Sequence, residues 1–219
     1  MNLLLKISLK SDAIFANGNS VPGLIDTEIE YDSRTGLAFI RGKTLKGLLS
    51  EACTNLLFLL EGTNNKWNDA ALSLFGKPGS DLSSQAHIHI GNATLSKSLK
   101  EVITRDIQRG DLNWQDVLNS MTAIRKQTSV DATTGVAATG SLRSSRVLIR
   151  NLELWADLVI ENDLSEDEKG LLAACIKTLH RGGSSRNRGL GRINVTLHEQ
   201  NKNDITDNWF YYFEKQLIA

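Results

Sequence analysis

Residues 152–198 read LELWADLVIENDLSEDEKGLLAACIKTLHRGGSSRNRGLGRINVTLH, and they contain half of the fold. Leu154, Ala156, Leu158 and Ile160 recur at every second position, the period of a strand over 152–161. Ser165, with Glu168 three residues on, is a capping box that opens a helix. Leu171, Leu172, Cys175 and Leu179 then mark an apolar face to about His180. A loop rich in glycine and arginine follows. Ile193, Val195 and Leu197 alternate in a last strand over 192–198.

The first half of the chain repeats this plan. Leu3, Leu5, Ile7 and Leu9 predict a strand over 3–10. Leu45, Leu48, Leu49, Ala52, Leu56 and Leu60 predict a helix over 44–60, and Ile88 and Ile90 a strand over 86–91. The order β-α-β-β-α-β defines an α+β, ferredoxin-like (RRM-like) core. Many RNA-binding modules use this arrangement, although a fold alone does not give a function.

The sequence reads as a single domain over 1–219 with two insertions. The first is a loop over 62–85, polar over 62–70, with a short element ending in residues 74–79. The second covers 98–147. It begins as weak helical or irregular structure over 98–120. Residues 122–146 are rich in Thr, Ser, Ala and Gly, with Arg125, Lys126, Arg143 and Arg146 and little core material. A long non-core stretch inside a compact domain is usually functional, and a protruding hairpin or arm is expected. Ile25 to Tyr31 and Leu37 to Ile40 flank a turn and predict a further hairpin. The aromatic cluster from Trp209 to Phe213 is expected to cap the core.

Composition limits the function classes. Lys and Arg total 25 and Asp and Glu total 25, so the net charge is zero, which argues against a freestanding nucleic-acid binder. A subunit that binds RNA on one face and protein on others remains compatible with it. Cys53 and Cys175 both fall in apolar helix patterns, which predicts buried thiols in a reducing compartment. No signal-peptide layout or membrane-length apolar run is found, so a cytoplasmic protein is expected.

Arg181 to Val195 holds four glycines and four arginines. Glycine admits close backbone approach and arginine offers a planar fork for phosphate oxygens. The loop is therefore either a glycine-rich connection with solvated charges or a grip on a polyanion. It is not a dinucleotide fingerprint, because Gly189 and Gly191 follow a helix and precede a strand. Gly42-Lys43-Thr44 resembles the end of a P-loop, but the first glycine of that motif would fall at Leu37. Lys43 and Lys46 sit by a helix N-terminus, which favours anions. His87 and His89 share a strand face but lack further ligands for a complete metal site. His180 at a helix end is either a general base or a partner of the helix dipole. Asp26, Glu28 and Glu30 share one face of the expected hairpin, which is either solvated or chemical.

Residues 18–47, GNSVPGLIDTEIEYDSRTGLAFIRGKTLKG, resemble the N-terminal signature of the RAMP superfamily of CRISPR-associated proteins. The likeness is greatest to the Csm/Cmr-like backbone subunits of type III effector complexes. Those carry an aspartate in a small loop, a turn "TGLPYIPG", and "SSLKG" at the opening of a helix. Phe75-Gly76 is similar to the family's "LFG", residues 128–143 (TSVDATTGVAATGSLR) to its "ID..TG.A..G.LR" thumb, and Gly182 to Gly191 to its C-terminal glycine-rich loop.

The resemblance implies stacking along a CRISPR guide RNA beside other CRISPR-associated subunits, with a thumb that interrupts the guide–target duplex. It implies an endoribonuclease active only within the complex. Asp26 would hold a divalent cation, magnesium or manganese, and support cleavage of target RNA by the neighbouring 2′-hydroxyl. RNA contacts would come from Arg41, Lys43, Lys46, Arg125, Arg143 and Arg146. The C-terminal loop would add Gly182, Gly183, Arg186, Arg188, Gly189, Gly191 and Arg192. Arg41 stands where the family has proline, and Pro22-Gly23 where small residues are common. These departures leave open a non-cleaving or end-capping subunit, as in type III-D systems. A guide-processing endonuclease shares the fold, but those enzymes commonly use a histidine base, and no histidine precedes residue 80. An unrelated ferredoxin-like protein is the remaining alternative.

Overall fold

The computed structural model describes residues 1–60, 66–77 and 86–218. Its centre is β1 (Asn2–Leu9), whose Leu3, Leu5, Ile7 and Leu9 are all buried. Antiparallel to it on one side runs β5 (Glu153–Ile160), with Leu5 opposite Ala156. On the other runs β6 (Ile193–His198), with Leu5 opposite Leu197. The short β2 (Ile88–Ile90) pairs with β5, giving the order β2-β5-β1-β6. This is the ferredoxin-like topology, and its four core strands lie within two residues of the ranges the alternation predicts.

Two helices cover the buried face. Helix α1 (Gly42–Leu59) contributes Leu45, Leu48, Leu49 and Ala52 to the core. Its start is fixed by packing: a Cβ on Gly42 would run into the carbonyl of Ile90, and the Gly42 N–H is received by Asn92 Oδ1 at 3.0 Å. Helix α5 (Glu166–Thr178) opens on the expected capping box, with Ser165 and Glu168 each bonding the other's backbone N–H. Cys53 on α1 and Cys175 on α5 are buried free thiols. Helix α6 (Thr206–Ile218) brings Phe213 onto Trp67 at 4.8 Å between ring centres, so the C-terminal aromatics do close the core.

Three segments differ from expectation. Lys66–Phe75 forms helix α2, where 62–70 reads as loop; fully buried Trp67 and Leu74 anchor it, a tertiary contact that outweighs its polar stretch. Residue 61 and, within that insertion, residues 62–65 and 78–85, Pro78 and Gly79 included, lie outside the described residues. The region 98–120 is regular, with α3 (Lys97–Arg109) ended by Gly110 in the left-handed conformation and α4 (Trp114–Met121) capped by Asn113. Residues 30–39 close the expected hairpin around the turn, with Tyr31 bridged antiparallel to Ala38 and Phe39 N–H on the Glu30 carbonyl at 3.0 Å, but its arms are not continuous strands. On either side the backbone bridges to separate places: Thr27 to Ser145, Ile29 to Ala16, Ile40 to Ala93.

The expected arm is a two-stranded ribbon, β3 (Thr122–Gln127) antiparallel to β4 (Arg143–Leu148). Thr122 and Leu148 pair at its base, Gln127 and Arg143 at its outer end. Among the described residues, no helix is long and apolar enough to cross a membrane.

Candidate nucleic-acid interface

The segment that leaves β1 joins the ribbon to the arginine loop. Ala13 exchanges backbone hydrogen bonds with Leu148 of β4, and the Ile14 carbonyl accepts from Ser184 N–H at 2.8 Å. Asp12, almost fully buried, is the joint. Its Oδ1 accepts from Arg150 N–H at 3.0 Å, its Oδ2 from Arg125 Nε at 2.9 Å, and its carbonyl from Gly191 N–H at 2.8 Å. The buried carboxylate thus fixes the ribbon, and the backbone carbonyl of the same residue fixes the arginine loop. Desolvation of such a group is offset only by donors of this kind.

The arginine loop folds back on itself. Gly182 N–H reaches the Gly191 carbonyl at 2.9 Å. A Cβ on Gly183 would strike the Ile14 carbonyl, and one on Gly191 the Gly182 carbonyl, while Gly189 stands in open space. Gly183, Gly189 and Gly191 all have positive φ. The glycines therefore serve compactness at two positions and conformation alone at the third. Arg186 pairs with Glu51 of α1 at 3.1 Å. Arg188 and Arg192 are exposed and have no carboxylate partner among the described residues. Arg181, Arg186 and Arg188 line a cleft beside Glu51 of α1, while Arg192 sits against Lys10 and Ser11.

The three acids of the N-terminal segment do not form a solvated row, because each has its own partner. Glu30 pairs with Arg41. Glu28 is buried and accepts from Arg146 Nε at 3.0 and 3.2 Å and from Ile29 N–H at 2.9 Å. Asp26 is exposed, and its Oδ2 accepts from Ser144 N–H at 2.6 Å and the Ser144 hydroxyl at 3.0 Å. The Ser144 backbone bond above all, then its hydroxyl bond, holds the Asp26 carboxyl below its ordinary range; Arg143 adds to this. Asp26 Oδ1 accepts no hydrogen bond among the described residues. One free oxygen of an ionised carboxylate suits a hard cation that keeps several waters and takes its remaining ligands from phosphate.

The remaining cations separate into two sets. Arg41, Arg125, Arg146 and Arg186 are held by acids of the same chain. Lys43, Lys46 and Arg143 have no carboxylate partner among the described residues. Lys43 and Arg143 are exposed, and burial holds Lys46 below the usual lysine range. His87 and His89 do not form a metal pair: His87 Nδ1 meets Ser73 Oγ at 2.9 Å, and His89 meets Glu161 at 2.8 Å. Among the described residues, no three His, Cys, Asp or Glu side chains cluster as a cation site. Asp12, Asn92 and Ser144 carry much of this geometry without any local motif. Ser144 lies 118 residues from Asp26; the arm over 122–146 marks its segment, but no motif singles out the residue.

The family model described as the RAMP superfamily matches residues 6–194. Among solved structures, the chain is similar to one from the cryo-EM structure of the type III-B Cmr-beta in its apo state. The TM-score is 0.63 at 14% identity, over 91% of this chain and 98% of that one. It is similar also to a chain of the type III-B Cmr-beta bound to cognate target RNA, with TM-score 0.63 and 13% identity, over 90% and 97%. No curated sequence is significantly similar.

Proposed function

Because the chain belongs to the RAMP superfamily, we propose that it is a guide-RNA-binding backbone subunit of a type III CRISPR effector complex, and that it cleaves bound target RNA through Asp26. The observation that carries this reading is the docking of Asp26 on the ribbon. The group that would act on the target is hydrogen-bonded directly to the hairpin that would enter the duplex. The likeness of fold to the type III-B chains supports the assignment to such a complex, with guide RNA, target RNA and neighbouring CRISPR-associated subunits as partners.

Arg186, Arg188 and Arg192, with Lys43 and Lys46 at the first turn of α1, hold the sugar–phosphate backbone of the guide and set its register without reading bases. Arg125 and Arg146 brace the ribbon through Asp12 and Glu28, and Arg143 at its outer end faces RNA. In the cleavage step the target's 2′-oxygen attacks the adjacent phosphorus and the bond to the 5′-oxygen breaks. The 2′-hydroxyl proton passes to solvent and the leaving oxygen takes one up, giving a cyclic phosphate and a 5′-hydroxyl end. Magnesium or manganese, when bound, supplies Lewis-acid stabilisation of charge on the phosphoryl oxygens. Asp26 Oδ1 would be the protein's ligand to that cation, with the carboxylate kept ionised by the Ser144 bonds to Oδ2.

A second reading, a subunit that binds guide but does not cut, is favoured by the internal pairing of four arginines and by the zero net charge. Asp26→Ala in an assembled complex, with cut sites mapped on a labelled target, separates the two. Lost cleavage with retained target binding supports the catalytic reading. Unchanged cleavage at every site overturns it and leaves the structural one.

A further inference from the structure

We propose that Ser144 is a positioning residue for cleavage, which fixes from the ribbon the oxygen that Asp26 turns toward RNA. The inference rests on the reading of Asp26 as the cleaving carboxylate. Among the described residues, every hydrogen bond of Asp26 goes to Ser144. The Asp26 N–H donates to the Ser144 carbonyl at 2.9 Å, and Oδ2 receives the two bonds already described. The same hydroxyl lies 2.9 Å from the Leu24 carbonyl, so its one proton is shared between that carbonyl and Oδ2, on either side of Ile25. Thr27 completes the seam, with its carbonyl receiving the Arg146 N–H at 3.0 Å.

Without this seam the carboxylate would hang on an exposed loop. Leu24 is 69% exposed, and Gly18 and Gly23 both have positive φ. Two donors on one oxygen block rotation of the carboxylate and leave Oδ1 as the outward atom. The position of that atom is then set by β4 and not by the sheet. Misplacing a reacting group by about 1 Å costs on the order of a hundredfold in rate.

The test compares Ser144→Ala, Ser144→Thr and Asp26→Ala in assembled complexes, all checked for an unchanged unfolding midpoint. Ser144→Ala keeps the backbone bond and loses the hydroxyl, so cleavage falls on the order of tenfold while target affinity is kept. The manganese concentration for half-maximal rate rises. Ser144→Thr restores the hydroxyl and with it the rate and the manganese dependence. The proposal is overturned if Asp26→Ala abolishes cleavage while Ser144→Ala matches the parent in both readouts. Equal rate losses in the Ala and Thr variants, with manganese dependence unmoved, would make Ser144 merely structural and also overturn it. Cleavage that survives Asp26→Ala removes the premise, and the inference falls with it.

Discussion

Removing Arg146 should detach the ribbon, and the size of the effect follows from burial. The Arg146 side chain is 13% exposed and that of Glu28 only 6%. Arg146→Met takes away a fork that serves both Glu28 oxygens and the Thr122 hydroxyl at 3.2 Å. Glu28 is then a buried charge with a single remaining donor, the N–H of Ile29. Breaking a buried ion pair from one side costs about 3–5 kcal/mol, and the surviving bond puts this case near 3. For a chain of this size that lowers Tm by roughly 6–12 °C. Thermal unfolding by circular dichroism reads the shift, and amide exchange across β3 and β4 reads where the structure loosens. Adding Glu28→Gln removes the stranded charge while keeping an acceptor for Ile29, and should recover at least half of the loss. A shift below about 2 °C, or a double variant no more stable than Arg146→Met alone, would refute the reasoning.

Four further outcomes are expected. Gly183→Ala and Gly191→Ala force a Cβ into a backbone carbonyl, so both should abolish tight RNA binding and lower Tm. Gly189→Ala meets open space and should cost only the left-handed conformation, about 1–2 kcal/mol. Arg188→Ala should weaken RNA binding and reduce the slope of log affinity against log salt by about 0.7, with cut positions unchanged. Glu51→Ala, which frees Arg186, should strengthen RNA binding in the same titration. Burial alone would raise the Glu168 carboxyl, but bonds from Ser73 and Ser165 outweigh it and leave the group below its ordinary range. Its contribution to stability is therefore full above the ordinary carboxylate pKa and is lost as pH falls through the lowered one. Glu168→Gln should flatten the acid limb of a plot of Tm against pH.

The core was legible because its strands alternate without interruption and its helices carry local start signals. Leu3 to Leu9, the Ser165–Glu168 box and Leu154 to Ile160 each declare their element within ten residues. Helix α2 did not, since Trp67 is buried by elements distant in sequence, among them Phe213 of α6. The acid segment was legible as chemistry but not as geometry. Asp26, Glu28 and Glu30 are spaced for one strand face, yet their partners Ser144, Arg146 and Arg41 come from two other elements. The charge count hid this as well. A net charge of zero gives no sign that four of the arginines expected to meet RNA are consumed internally.

The central strand is also the one that waits longest for its partners. Met1 bonds to Ile160 across 159 residues and Ser11 to Arg192 across 181. At about 5–20 residues per second, translation leaves both edges of β1 open for roughly ten to forty seconds. During that interval its row of leucine and isoleucine is an unprotected template for pairing with other nascent chains. Synthesis on crowded ribosomes is therefore the hazardous stage in the life of this protein, and a chain released before β6 emerges carries that open edge with it.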